Sequence, residues 1–224
     1  MADTRELTPE QVASYLEASC ALIEAELLAL GDDASWHFDP KEWCANQVVG
    51  HIVEAEKRGF AGRIREILAG KPKTSAWDQE QVARDRNDCG RLGQSLWMEF
   101  MGLRNDSVTL VRSLGPGDLS KGIEHPKAGR LAVRDLLHEW IHHDRNHTKQ
   151  LLAIAQERVW PHMGNAQKFK GEYPRAAPRP TRTEAKAQRS ESPHPGSRPP
   201  PRHSPPRATS RASSSPVRRP PGRG

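Results

Sequence analysis

Residues 131–156 read LAVRDLLHEWIHHDRNHTKQLLAIAQ and hold four of the chain's ten histidines within ten positions. On a 3.6-residue period, Leu136, Trp140, His143, His147, Leu151 and Ile154 follow one another at steps of three and four, which predicts one apolar stripe down a single helix. His138, His142, Arg145 and Lys149 share that spacing on a more polar side. The two histidine pairs are therefore not equivalent, and only His143 and His147 face inward. Imidazoles at i and i+4 stand with Cβ atoms about 5–6 Å apart, close enough for both to reach one metal ion at about 2.0–2.1 Å. Taken alone, such a pair reads first as two hydrogen-bonded core histidines. A metal reading needs a third ligand from elsewhere in the chain.

Working outward, composition divides the 224 residues. From Lys168 onward there are 14 Lys and Arg against three acids, with 13 of the 19 prolines. The preceding 167 residues carry 20 basic and 25 acidic side chains, so the formal charge of +6 belongs to the tail. The body is a mildly acidic domain, and the high pI does not mark a nucleic-acid-binding core. Over 171–224, Pro, Arg, Ser and Ala dominate without apolar periodicity, which predicts a disordered basic tail. Its arginines suit weak, salt-sensitive contact with nucleic acid or acidic surfaces and nothing stronger.

No apolar run is long enough to span a membrane, and MADTRELTPE lacks the basic and apolar regions of a signal peptide. A cytoplasmic protein is the expectation. Cys20, Cys44 and Cys89 are odd in number, widely spaced and without a CxxC, which fits free thiols better than a disulfide framework or a cysteine-rich zinc site.

Three more helices precede the histidine-rich one. Thr8, Pro9 and Gln11 make an N-cap, an N1 proline and a capping box; Val12, Leu16, Cys20, Ile23, Leu27 and Leu30 continue the stripe to Gly31. After a loop holding His37 and two tryptophans, Val48, His51, Ile52 and Ala55 stand at i, i+3, i+4 and i+7. Phe60, Ile64, Ile67 and Leu68 extend this second helix to Gly70. His51 thus points inward, and it is the third ligand candidate. Residues 75–93 read as a long charged connection with one helical turn at most. The third helix shows Trp97, Phe100, Met101, Arg104, Val108 and Val111 on one side, ending at Gly115-Pro116-Gly117. Arg104 interrupts that side; its head is expected at solvent, on an acid, or on an anion at a pocket mouth. DLSKGIEHPKAGR is a turn-rich loop with a surface histidine, His125. VWPHMGNAQKF reads as a cap folding back through Val159, Trp160, Met163 and Phe169, with the domain ending near Lys170.

Four amphipathic helices, an inward His on the second and an inward H-x-x-x-H on the fourth, resemble the DinB-like family of metal-dependent four-helix bundles. The match extends beyond the histidines. EWCANQVVGHIVEAE is similar to that family's helix two, FMGLRNDSVTLVRSL to its helix three, HPKAGRLAVRDLLHEWIHHDRNHTKQL to its turn and helix four, and VWPHMGNAQKF to a common ending. The resemblance spans residues 8–169 and leaves out the tail. It implies an all-α fold, a four-helix-bundle domain over 1–170, and a metal triad of His51, His143 and His147, the residues that periodicity selects. It also implies zinc, nickel or iron as the divalent ion. Better-understood relatives are bacillithiol S-transferases and mycothiol-dependent isomerases, while others are undefined hydrolases.

Three imidazoles leave at least one coordination position open, as in catalytic rather than structural zinc. Water there can lose its proton near pH 7, and a thiol is deprotonated outright. The expectation is a metal-dependent enzyme that activates a thiol toward a small electrophile. The alternatives are a hydrolase using metal-bound water, and a non-catalytic, metal-dependent sensor or scaffold acting as a homodimer. Catalytic residues beyond the ligands are not assigned. Glu54 and Glu139 lie near the ligands in sequence, but exposed helix carboxylates are the commoner reading of both.

Overall fold

The computed structural model describes residues 5–170; the basic tail expected over 171–224 lies outside them. Helix α1 spans Pro9–Leu30. Thr8 Oγ1 accepts from the Gln11 N–H and Gln11 Oε1 accepts from the Thr8 N–H, so the capping box forms as read. Gly31 ends the helix with φ +52, a conformation that a side chain would strain. Helix α2 is short, Ala45–Glu54, and passes through a π-turn at Ala55–Gly59 into α3, Ala61–Leu68. Helix α4 is Gln79–Arg86, α5 is Gly93–Arg112 and α6 is Val133–Val159. An antiparallel hairpin, β1 Gly122–His125 and β2 Gly129–Ala132, leads directly into α6. Helices α1 and α2 each pack against both α5 and α6, giving the expected four-helix bundle. No helix among the described residues is long and apolar enough to cross a membrane.

Several expectations are corrected. The second helix is not continuous. From Ala55 to Phe60 its apolar stripe takes a step of five, and the structure answers with a π-turn in which the Phe60 N–H donates to the Ala55 carbonyl at 2.8 Å. The extra residue rotates Phe60, Ala61, Ile64 and Ile67 back into the core. The charged connection over 75–93 contains two full turns of α4, started by Asp78, whose carboxylate accepts from the Glu80 and Gln81 N–H groups. The turn-rich loop is the hairpin, with His125 Nδ1 accepting from the Lys127 and Ala128 N–H groups at the turn. The C-terminal cap buries less than expected, since Val159 is 56% and Phe169 90% exposed. Cys44 and Cys89 are not free thiols but a disulfide, leaving Cys20 as the free one.

Arg104 meets acids, one of the expected destinations of its head, but does so away from any surface. Its guanidinium is in the core, 1% exposed, and not at solvent or a pocket mouth. It pairs with Glu56 and, at 2.6 Å, with Asp144 Oδ2, and it donates to the Leu16 carbonyl at 2.9 Å. Glu56 also accepts from Ser107 Oγ (2.5 Å) and Trp140 Nε1 (3.2 Å). Burial and the neighbouring Asp144 carboxylate push the Glu56 carboxyl up from its ordinary range, against the pull of Arg104. Asp144 is held below its ordinary range: burial opposes this, and the Arg104 charge prevails.

A second polar cluster lies nearer the surface. Arg86 donates to Glu54 (2.8 Å), to both oxygens of Asp88 (2.6 and 3.1 Å) and to Glu99 (3.3 Å), while Arg91 donates to Asp88 (3.1 Å) and Glu99 (2.8 Å). Gly50 lets this cluster meet α2, because a Cβ there would lie 1.8 Å from Asp88 Oδ2.

Two stability outcomes follow. Arg104→Ala leaves two buried carboxylates uncompensated and should cost about 3–5 kcal/mol, whereas replacing Arg104, Glu56 and Asp144 together by apolar residues of similar volume should cost far less; urea unfolding at pH 7 measures both. Burial alone would raise Glu99, but hydrogen bonds from Arg86, Lys57 and Arg91 hold it down at about 2. Its folded value lies below the unfolded one, so its contribution is complete above the unfolded value near 4.5 and is lost as pH falls toward 2. Glu99→Gln should therefore destabilise the protein at pH 7 and flatten the acid limb of its stability profile.

Candidate metal centre

His51 comes from the last turn of α2, and His143 and His147 come from adjacent turns of α6. The bundle brings all three together. His51 Nε2 and His143 Nε2 stand 3.0 Å apart, and one nitrogen from each of the three rings falls within 4.8 Å of the others. Ring centroids are 4.6 Å apart for His51 and His147 and 4.5 Å apart for His143 and His147. His51 and His147 are buried, and the His143 side chain is 19% exposed. The other two clustered histidines are elsewhere, as the helical phase predicts. His142 is exposed. His138 Nε2 accepts from the Leu7 N–H at 3.2 Å and its Nδ1 faces the Arg134 carbonyl at 2.7 Å, so it tethers the segment before α1.

The donor set suits a divalent ion. His147 Nδ1 lies 3.0 Å from Gln150 Oε1; with Nδ1–H donating to that oxygen, Nε2 is left as a lone-pair donor toward the cluster. His143 Nδ1 faces Asp144 Oδ1 at 3.7 Å, so a carboxylate backs the second imidazole. A 3.0 Å separation of two ring nitrogens is compatible with both lying about 2.0–2.1 Å from one ion.

Aromatic rings close the site. Trp77 stacks over His51 at 5.8 Å with 26° between planes, and Trp43 tilts against the same imidazole at 5.2 Å. Phe60 meets His143 edge-on at 5.1 Å and stacks on Trp140 at 5.2 Å. Val48, Ile52, Leu136 and Trp140, from the same helix faces as the ligands, are all buried. Trp77 also lines a cleft of about 390 Å³ with Lys57, Arg58, Gly62, Glu66 and Thr74.

Sequence reasoning missed Trp77 and Asp144. Trp77 stands alone in a charged stretch, with no periodicity to assign it a face. Asp144 is one residue past His143, and the inward stripe leaves it unassigned; only its pairing with Arg104 reveals it. Glu54, read from sequence as an exposed helix carboxylate, is instead 4% exposed and committed to Arg86 and Arg58, while Glu139 is exposed as expected.

The family model of the DinB superfamily matches residues 23–151, which include all three histidines. The chain belongs to the DinB superfamily. Among curated relatives of this DinB protein, one from Bacillus mycoides (strain KBAB4), named "Putative metal-dependent hydrolase", is 28% identical over 120 residues, covering 53% of this chain and 68% of the relative. A protein of the same name from Oceanobacillus iheyensis is 20% identical over the same length and coverage. Among solved structures, YfiT from Bacillus subtilis, described as a four-helix bundle of unusual topology, superimposes with a TM-score of 0.62 at 14% identity, covering 71% of this chain and 94% of YfiT. That likeness supports the fold.

The phase of α6 generates a test. His51→Ala, His143→Ala and His147→Ala should each abolish stoichiometric metal in the purified protein, and His138→Ala and His142→Ala should retain it. Metal analysis of the five variants decides, and equal loss in all five would overturn the assigned face.

Proposed function

We propose that this protein is a metal-dependent enzyme in which His51, His143 and His147 hold a divalent ion, zinc, nickel or iron, and that it transfers a low-molecular-weight thiol to a small electrophile. A divalent ion bound by three neutral imidazoles keeps its full positive charge and lowers the pKa of a thiol or water bound beside it. The residues around the triad do the rest. Trp43, Trp77 and Phe60 exclude water from the open side, which strengthens every charge interaction inside. Gln150 orients the His147 ring, and the Asp144 carboxylate stands beside that of His143. Trp77 connects the triad to the cleft beside Lys57 and Arg58, where a substrate of matching size can be held.

The observation that favours thiol over water is the state of the acids. Glu54, Glu56 and Asp144 are each locked to an arginine, so none is placed to take a proton from an attacking water as a general base. Coordination deprotonates a thiol outright, whereas bound water loses its proton only near pH 7, so the lack of a base weighs more against water than against a thiol. The competing reading is a hydrolase, favoured by the names of the Bacillus and Oceanobacillus relatives. The third reading, a metal-dependent sensor or scaffold acting as a homodimer, has no comparable support.

The metal-loaded protein should convert a chloro-aromatic or epoxide to a thiol conjugate with at least one thiol of a panel. That conjugate should fall to background on chelation and in His51→Ala. Product release without consumption of thiol would establish the hydrolase reading, and no metal-dependent turnover of either kind would leave a binding role.

A further inference from the structure

A second cluster of metal-ligating side chains stands at the other end of α2. His37, Cys44 and Cys89 each offer one ligand atom, and these atoms lie within 4.8 Å of one another. The two sulfurs are bonded in this structure. The histidine is nonetheless set up as a ligand to them. Its Nδ1 lies 2.8 Å from the Glu42 carbonyl oxygen, which can only accept, so Nδ1 carries the proton and Nε2 presents a lone pair. That lone pair faces Cys89 Sγ at 3.3 Å. A disulfide sulfur has no proton to give it; a thiol or a shared metal ion would satisfy it.

Both cysteines are positioned by contacts that do not depend on the disulfide. Cys89 sits in the short turn Asp88–Gly90, where Asp88 is 1% exposed and clamped by Arg86 and Arg91. Asn46 Nδ2, from the first turn of α2, donates to the Arg91 carbonyl at 2.9 Å and ties that turn to the helix. Cys44 caps α2, with its N–H donating to Gln47 Oε1 at 3.1 Å. A sulfur at a helix N-terminus is favoured as thiolate. The two Cα atoms are 6.6 Å apart, so rotation about the side-chain bonds can part the sulfurs to the roughly 3.8 Å that two Zn–S bonds of about 2.3 Å span at a tetrahedral angle.

We propose that His37, Cys44 and Cys89 form a second metal site of one imidazole and two thiolates, closed by the disulfide and opened by its reduction. The opening is a thiol–disulfide exchange. Two molecules of a low-molecular-weight thiol, RSH, give up two electrons and two protons to the Cys44–Cys89 bond, yielding two cysteine thiols and one RSSR. When a zinc ion enters, the two cysteine protons pass to solvent and two Zn–S bonds form, with His37 Nε2 as third ligand. Thiolates beside an imidazole select zinc over harder cations. His37 is exposed, so the fourth position opens to water.

The test uses the full chain, either oxidised or reduced with a phosphine that supplies no thiol, and titrated with cobalt(II) as the probe. The reduced protein should take up one more equivalent than the oxidised protein and develop a near-ultraviolet sulfur-to-cobalt charge-transfer band, which three imidazoles cannot give. Cys89→Ser should abolish the band. His37→Ala, an exposed position that leaves the core intact, should weaken the additional equivalent by about tenfold or more. Cys20→Ser should leave it unchanged. His51→Ala should remove only the equivalent already present in the oxidised protein, so failure of the three-histidine centre and failure of this site are read separately. Equal cobalt uptake in both redox states, a band indifferent to His37→Ala, or a band lost with Cys20→Ser would each overturn the proposal.

Discussion

The bundle depends on one buried cation. Arg104 is hydrogen-bonded or ion-paired to residues of three other segments: the Leu16 carbonyl of α1, Glu56 of the π-turn and Asp144 of α6. Along α1 it falls between the Leu16 and Ile23 levels, along α5 between Phe100 and Val108, and along α6 between Trp140 and Leu151. Those residues belong to two separate apolar clusters. The polar layer therefore divides the core and fixes the axial register of all four helices, since sliding any one of them would strand a buried charge.

This register is what brings the histidines together. Asp144 is bonded to Arg104 through Oδ2 and faces His143 through Oδ1, so the ion pair that aligns α5 with α6 also sets a carboxylate beside a ring of the triad. Glu56 sits five residues after His51, inside the π-turn. The extra residue in that turn lets α2 direct His51 at α6 while α3 still buries Phe60, whose ring meets His143. Stability and site geometry share the same few side chains, which is why the acids beside the triad are occupied in structure and not available for proton transfer.

Much of this is legible in the sequence, because a helical period reports which face is buried. The triad and the separation of His143 and His147 from His138 and His142 follow from phase, and the capping box follows from the residue types at Thr8, Pro9 and Gln11. Phase fails where burial is not apolar. Arg104 and Asp144 look like surface residues until their partnership is known, and partnerships over forty positions leave no periodic trace. The step of five from Ala55 to Phe60 was a readable sign of the π-turn. Trp77, and the pairing of Cys44 with Cys89, depend on how a charged connection folds across the bundle, which local pattern does not encode. The family comparison strengthens the fold and the coarse reading of the site without naming a substrate.

The origin of the three imidazoles has a consequence for ion size. His143 and His147 share one helix, and their separation is set by its pitch, which the bundle cannot easily stretch. His51 reaches them across an interface from a helix of only ten residues, anchored at its start by the Cys44 turn and released at its end by the π-turn. A change in ionic radius would thus be absorbed almost wholly as a displacement of α2 along the line joining it to α6. Trp43 and Trp77 both pack on the His51 ring, so the indole environment would report which ion is held.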